Sequence, residues 1–288
     1  MKIVRSAAEL DPGDRAVAIG TFDGVHRGHR RVIEAAIETG LTSTVITFDP
    51  HPRLALGYAV ELLATLERRL ELFAALGVEE VLVIEFSHEF QQREPEHFAE
   101  QLLRAIGARV IVASETFRFG HRRRGDLALL RTIGFDARAV PFLEGVSSTE
   151  IRSLLHAGVV EEAARLLGRP PEVEGTVVVG DERGGTLGFP TANLAVEPHL
   201  LVPAFGIYAG EAREHRSAIS IGTNPHYGGH ERRVEAFLLD FADDLYGQRL
   251  VVELWQRLRD EQVFSSEQAL IDQIARDVEA TRRAIRPA

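Results

Sequence analysis

The 288-residue sequence contains no cysteine. That excludes disulfides, thiolate catalysis and cysteine-ligated zinc or iron–sulfur centres. Lysine is almost absent, with Lys2 the only one. A Walker-A phosphate loop needs a lysine after its glycines, so that class of nucleotide-binding enzyme is excluded as well. No apolar run reaches the ~18 residues expected of a membrane-spanning helix. The first twenty residues, MKIVRSAAELDPGDRAVAIG, lack the apolar stretch and small-residue cleavage site of a secretory signal. The expected compartment is therefore the cytoplasm, with no membrane partner.

The sequence carries an acidic balance, formally −10. Broad nucleic-acid binding requires a basic face, so no nucleic-acid partner is expected. Small-molecule substrates are the expected partners, with the chain a monomer or weak homo-oligomer. The length suits two domains. Apolar runs at 16–20, 43–48, 80–86 and 108–113 alternate with helical patterns at 28–38, 66–76 and 95–106. This rhythm predicts an α/β domain with a parallel sheet. Shorter helices are predicted at 149–156 and 159–167. GRPPEVEG (168–175) then punctuates the chain. Beyond it, strand patterns at 175–180, 205–212, 216–222, 232–241 and 248–258 predict a small antiparallel β-barrel. A terminal helix is predicted over 266–284, with Leu270, Ile274 and Val278 at helical spacing. The expected domains are 1–168 and 169–288.

The first candidate site is GTFDGVHRGHR (20–30), where a strand meets a helix. Ligands of open α/β sheets bind at such strand ends, and a helix N-terminus offers N–H groups to phosphate. His26 and His29 are three apart and can face one direction. Gly24 and Gly28 permit tight turns and close ligand approach. A His-x-x-His pair alone also fits a metal site or surface decoration. The wider motif resembles the H-x-G-H signature of the nucleotidylyltransferases, in the GxFDGVHxGH form of bacterial bifunctional riboflavin kinase/FAD synthetases. TFDPHP (47–52), LERRLELFAALGVEEVLVIEF (66–86), FRFG (117–120) and SSTEIR (147–152) resemble the same family.

That resemblance implies a Rossmann-like nucleotidylyltransferase domain followed by a riboflavin kinase barrel. The N-terminal domain would adenylylate FMN to FAD with release of pyrophosphate. His26 and His29 would hold ATP phosphates, beside Gly20, Phe22, Asp23, Gly24 and Gly28. Ser148, Thr149 and Arg152 would form a second phosphate-binding element. Asp23, Asp49, His51 and Pro52 would line the nucleotide and flavin cleft, although turn or strand-end geometry also accounts for them. The attacking phosphate of FMN has a second pKa near ~6 and arrives ionised, so no general base is required. Thr116, in SETFRFG (114–120), departs from the family pattern. HRRR (121–124) reads as a solvated charge run or a phosphate contact.

The second candidate site is GDERGGTLGFPTANL (180–194). GFPTANL resembles the PTAN signature of flavokinases. The resemblance implies that Thr191 and Asn193 hold magnesium and ATP phosphates, with Gly180, Gly184, Gly185 and Gly188 letting the loop approach ATP. Hard oxygen donors suit Mg2+. In RRVEAFLLDF (232–241), Glu235 alternates in phase with Phe237, Leu239 and Phe241, which predicts an inward carboxylate. By resemblance Glu235 is the base for the riboflavin 5′-hydroxyl. Its alternative role is an ion pair with Arg232 or Arg233. LRDEQVF (258–264) also matches the family, making Arg259 and Glu261 flavin contacts or a surface ion pair. His226, Tyr227 and Phe237 depart from the family pattern, as does the acidic pair Asp181–Glu182. ATP, riboflavin, FMN and FAD are the implied substrates and products. An aminoacyl-tRNA synthetase relative, or a flavin-binding protein without catalysis, is the competing reading; against the synthetase stand the acidic balance, the lack of a basic tRNA-binding domain, and a PTAN barrel that has no place in that scheme.

Overall fold

The computed structural model describes residues 1–180, 189–223 and 232–287. They divide into two compact units, Met1–Val146 and Ser147–Ala288.

The first unit is built on a six-stranded, wholly parallel sheet. Its strands are β1 (Lys2–Val4), β2 (Arg15–Ile19), β3 (Thr42–Asp49), β4 (Glu80–Glu85), β5 (Ala108–Ser114) and β6 (Asp136–Val140). Their spatial order is β1-β4-β3-β2-β5-β6. The four apolar runs of the sequence are its four inner strands. The edge strands β1 and β6 escape sequence reading because they are short and carry charges.

Alternation along the inner strands supplies two cores. Val17, Ile19, Ile46, Leu82 and Ile111 face one layer, completed by Phe98, Leu103 and Leu130. Ala16, Ala18, Val45, Val81 and Val112 face the other, completed by Val32, Ile33 and Phe73. A parallel sheet needs both faces covered, and here both are. The covering helices include α1 (Arg27–Ile37) and α3 (Leu66–Ala75), separated by the short α2 (Pro52–Ala55). The helix expected over 95–106 is shorter. After α4 (His88–Gln91), α5 (Pro95–Phe98) passes into a wider helical turn, Ala99–Leu103. Helix α6 (Leu127–Thr132) precedes β6. From β2 the chain turns to β3 on one side, whereas β5 lies on the other. The C-terminal ends of β2 and β5 therefore form the switch point where open α/β sheets bind ligands.

The second unit begins with α7 (Ser148–His156) and α8 (Val160–Leu167), and α8 packs on strand β12 (Arg249–Arg259). The barrel closes in the order β10-β11-β8-β7-β12-β9, with every pair antiparallel. Its other strands are β7 (Glu172–Val178), β8 (Ala192–Ala195), β9 (Gly206–Ala212), β10 (His215–Thr223) and β11 (Arg232–Leu238). Ile219, Ile221, Val234, Ala236, Leu250, Val252 and Leu254 are buried in its interior. Helix α9 (Glu267–Arg283) packs on β9 and β10. Its most buried residues are Asp277 and Thr281, while Leu270, Ile274 and Val278 are half-buried. Asp277 earns that position by pairing with Arg259 of β12 at 2.7 Å.

Candidate functional sites

The turn after β2 is shaped by backbone conformations that few residues tolerate. Phe22 and Val25 have φ of 50° and 41°, and Gly24 has φ of 80°. A Cβ on Gly24 would lie 2.8 Å from the Leu63 side chain. Glycine at 24 is therefore required both by conformation and by close approach. Asp23 is buried and accepts a hydrogen bond from the Leu63 N–H at 2.9 Å. That bond fastens Leu63 to the turn.

His26 caps the N-terminus of α1, accepting the His29 N–H on Nδ1 at 3.3 Å. With Nδ1 accepting, Nε2 is the ring nitrogen left to donate. The two imidazoles stack with centroids 3.5 Å apart, and Phe22 meets His29 edge-on at 5.3 Å. His29 is part-exposed as a residue, but its Nδ1 is closed off from solvent without a partner among the described residues. Burial, reinforced by His26 and Arg69, pushes the His29 pKa well below its ordinary value and keeps the ring neutral. Gly28 lies under the His26 ring, where a Cβ would approach within 3.2 Å. Gly20 is similarly crowded by the Phe22 ring at 3.0 Å.

At the end of β3, His51 caps α2 by accepting the Arg53 N–H at 3.1 Å, and Pro52 opens that helix. Asp49 faces Arg5 at 3.7 Å. Thr116 follows β5 at the switch point, with its hydroxyl 3.2 Å from that of Ser114. In the HRRR loop, Arg124 pairs with Glu94 while Arg122 and Arg123 stay exposed.

Sequence reasoning missed Arg69. It is buried on α3 and joins the two strand ends, donating to Thr21 O at 2.7 Å and to Thr47 Oγ1 at 2.9 Å. The signal was available: Leu66, Arg69, Leu70 and Phe73 follow the spacing of an apolar helix face, and one of them is an arginine.

In the second unit, Ser147 caps α7 by accepting the Glu150 N–H at 3.1 Å. Ser148 and Arg152 are one helical turn apart and half-buried, whereas Thr149 is exposed.

The barrel corrects the expectation for Glu235. Val234, Ala236 and Leu238 are the buried, inward residues of β11, so Glu235 and Phe237 project from the outer face. The misreading came from bulk. The interior of a small barrel accepts Val and Ala on this strand, while the larger Phe237 packs outside, edge-on to Phe189 at 5.5 Å. Leu239 and Phe241 lie beyond the strand and do not continue its alternation.

Glu235 is held at both oxygens. Arg233 donates to Oε1 at 3.2 Å, and Thr191 Oγ1 donates to Oε2 at 3.4 Å. Asn193 stands directly across the ladder from Glu235. It is buried, its Nδ2 donates to Thr191 O at 3.4 Å, and its Oδ1 has no partner among the described residues. A buried carbonyl oxygen without a donor fits a cation. Thr191, Asn193 and Glu235 thus supply three oxygen groups at one place. This donor set suits magnesium, which keeps water and phosphate ligands besides a few from protein. A Cβ on Gly180 would fall 2.2 Å from Asn193, so the chain there needs glycine for close approach. Gly184, Gly185, Gly188, His226 and Tyr227 lie outside the described residues, as does the Asp181–Glu182 pair.

Arg259 is committed to Asp277 through Nε at 3.0 Å and Nη2 at 2.7 Å, not to a surface pair with Glu261. Glu261 lies against Gly222, and burial raises its carboxyl pKa despite the opposing effect of Arg259.

Comparison with known proteins matches residues 9–152 to the FAD synthetase family and residues 167–285 to the riboflavin kinase family. The bifunctional riboflavin kinase/FMN adenylyltransferase of Listeria monocytogenes is 35% identical, with 93% of this chain and 92% of that protein covered. The Escherichia coli K12 protein of the same name is 36% identical, with 96% of each covered. A crystal structure from Streptococcus pneumoniae, named a macrolide-efflux protein, superposes with a TM-score of 0.87 at 32% identity, covering 98% of this chain and 99% of that one. Among the described residues, no helix is long and apolar enough to cross a membrane. With both family models matched in tandem and near-full-length relatives alongside, the chain belongs to the bifunctional riboflavin kinase/FMN adenylyltransferase family.

Proposed function

We propose that this chain phosphorylates riboflavin to FMN on the outer wall of its barrel and adenylylates FMN to FAD at the β2–α1 turn. Residues 169–288 carry the first activity and residues 1–168 the second. The observation that carries the reading is Glu235, held at both carboxylate oxygens beside an Asn193 Oδ1 that has no partner among the described residues.

In the barrel, Glu235 accepts the proton of the riboflavin 5′-hydroxyl as that oxygen attacks the γ-phosphorus of ATP. The bonds from Arg233 and Thr191 fix the carboxylate plane, and each oxygen keeps a lone pair for the incoming proton. Thr191 and Asn193 hold Mg2+, which when bound neutralises phosphate charge. Gly180 and Gly188 bring backbone close to the nucleotide. Arg259 and Glu261 contact the flavin, with Arg259 braced by Asp277.

At the β2–α1 turn, the α1 N-terminus, His26 and the neutral His29 ring donate to ATP phosphates. Gly20, Phe22, Asp23, Gly24 and Gly28 shape this cradle, and Asp49, His51 and Pro52 border the FMN side. Ser148, Thr149 and Arg152, on α7 of the second unit, are assigned to phosphate binding by the family resemblance alone. Alignment of an already ionised FMN phosphate with the α-phosphorus, and stabilisation of departing pyrophosphate, supply the catalysis. The chain acts in the cytoplasm on small molecules, as a monomer or weak homo-oligomer and without nucleic acid.

Incubation with riboflavin, ATP and magnesium, followed by chromatographic separation of flavins, tests this. FMN should form first and FAD after it. Flavin binding with neither product would leave a binding protein instead, and aminoacylation of tRNA would place the H-x-G-H motif in the other enzyme class.

A further inference from the structure

A buried arginine ordinarily sits against a carboxylate, because its guanidinium cannot shed its proton and desolvating the charge is expensive. Arg69 is 3% exposed, yet its hydrogen bonds go to neutral oxygens. Nη1 donates to Thr21 O at 2.7 Å and Thr47 Oγ1 at 2.9 Å, and Nη1 and Nη2 reach Phe48 O at 3.5 and 3.4 Å. Thr47 Oγ1 itself donates to Thr21 O at 3.1 Å. These acceptors come from two separate segments. Thr21 begins the turn that carries Phe22 through His29, and Thr47 and Phe48 precede Asp49 and His51. One side chain on α3 therefore fixes the spacing between the turn and the β3 end.

The charge has a second consequence. The titratable and charged groups acting on His29 are His26 and Arg69, and those acting on Arg69 include Asp23 and Asp49. A fixed cation behind His29 opposes its protonation and presents positive potential to a polyanion, without reorganising when that anion arrives.

The geometry points to Arg69 as a positioning residue for adenylyl transfer, one that sets the place of His29 relative to the Asp49–His51 segment. This rests on the reading of the β2–α1 turn as the adenylylation site.

The test compares the full-length wild type with Arg69→Gln, Arg69→Lys and His29→Ala, assaying FAD formation from supplied FMN against pH, FMN formation from riboflavin, and thermal melting. In Arg69→Gln, kcat for FAD formation should fall by ~10- to 100-fold, the scale of a displaced reacting group. Its acidic limb should move to higher pH, because the cation opposing His29 protonation is gone. FMN formation should not change. Arg69→Lys should keep the wild-type acidic limb while losing kcat, because it retains charge without the planar fork. A folded Gln variant with wild-type kcat and pH profile overturns the inference, even if its melting point is lower. If the Gln variant does not fold, wild-type kcat in Arg69→Lys overturns it equally. If His29→Ala makes FAD at the wild-type rate, the site reading itself fails, which separates that failure from failure of the role given to Arg69.

Discussion

The two units hold their candidate sites by opposite means. In the first, the site sits where strands end, on a turn whose shape is set by positive φ at Phe22, Gly24 and Val25. The donors proposed for it are backbone N–H groups and imidazoles aimed by a helix cap. In the second, the site lies on strands themselves: Glu235 and Asn193 are ladder partners, and register places them side by side. A site on strand ends depends on loops being pinned, as Asp23 and Arg69 pin them. A site on a barrel wall depends on pairing that is already closed. The chemistry differs in parallel, since a hydroxyl nucleophile needs a base and an ionised phosphate does not.

The largest expected effect tests that chemical difference. Glu235→Gln keeps the shape and removes the proton acceptor. Riboflavin phosphorylation should fall by roughly 10²–10⁴-fold, while adenylylation of supplied FMN stays near wild type. A Gln variant with full kinase turnover but a lower melting point would reduce Glu235 to the ion pair it makes with Arg233. Next comes the reciprocal change. His29→Ala should lower FAD formation by ~10²-fold or more, the scale for one preorganised donor, and leave FMN formation intact. Equal loss of both activities in a folded variant would mean that the sites are not separable.

A smaller effect concerns where the modules divide. A fragment beginning at Ser147 retains α7 and α8, whereas one beginning at Pro171 loses them. Val160, Ala163, Ala164 and Leu167 are buried on α8, which packs against β12. Both fragments should phosphorylate riboflavin and make no FAD, with the shorter one melting at least ~10 °C lower through lost apolar burial. Equal melting points would show that α8 adds nothing to the barrel. A folded, inactive fragment from Ser147 would show that the kinase needs residues further upstream.

The smallest effect is a pH dependence of stability. His29 has a folded pKa well below the unfolded value near ~6.5, so unfolding takes up a proton once pH falls below that value. Its contribution is present above pH ~6.5 and is lost as pH falls toward the folded pKa, by at most about 1.4 kcal/mol per pH unit. His29→Gln should flatten the dependence of melting on pH between about 7 and 5. An unchanged slope would mean that His29 is not held neutral.

Most of the architecture was legible because inner strands of a parallel sheet are continuous apolar runs, and glycine and proline marked the change of rhythm at 168–175. Strands β1, β6 and β8 were not, since three to five residues with polar members make no periodic signal. For the candidate site, the resemblance supplied His26, His29, Thr191, Asn193 and Glu235 as positions, but geometry had to supply their partners. The direction of Glu235 was misread because apolar bulk was taken for the interior. In this small barrel, bulk also packs outside, as Phe237 does on Phe189. Arg69 was not singled out because its charge interrupts the apolar pattern of the helix face it shares with Leu66, Leu70 and Phe73.

The contrast between an open sheet and a closed barrel also bears on how each unit meets other chains. Among the described residues, closure leaves the barrel no free strand edge. The sheet keeps two, and neither invites a foreign strand. At β1, only three residues are available, and Lys2 stands among them. At β6, the exposed Asp136 and Arg138 pair with each other at 2.7 Å along the outermost strand. An incoming strand would have to desolvate that pair to add to the sheet, so edge charge guards the open unit against aggregation in the way that closure guards the barrel.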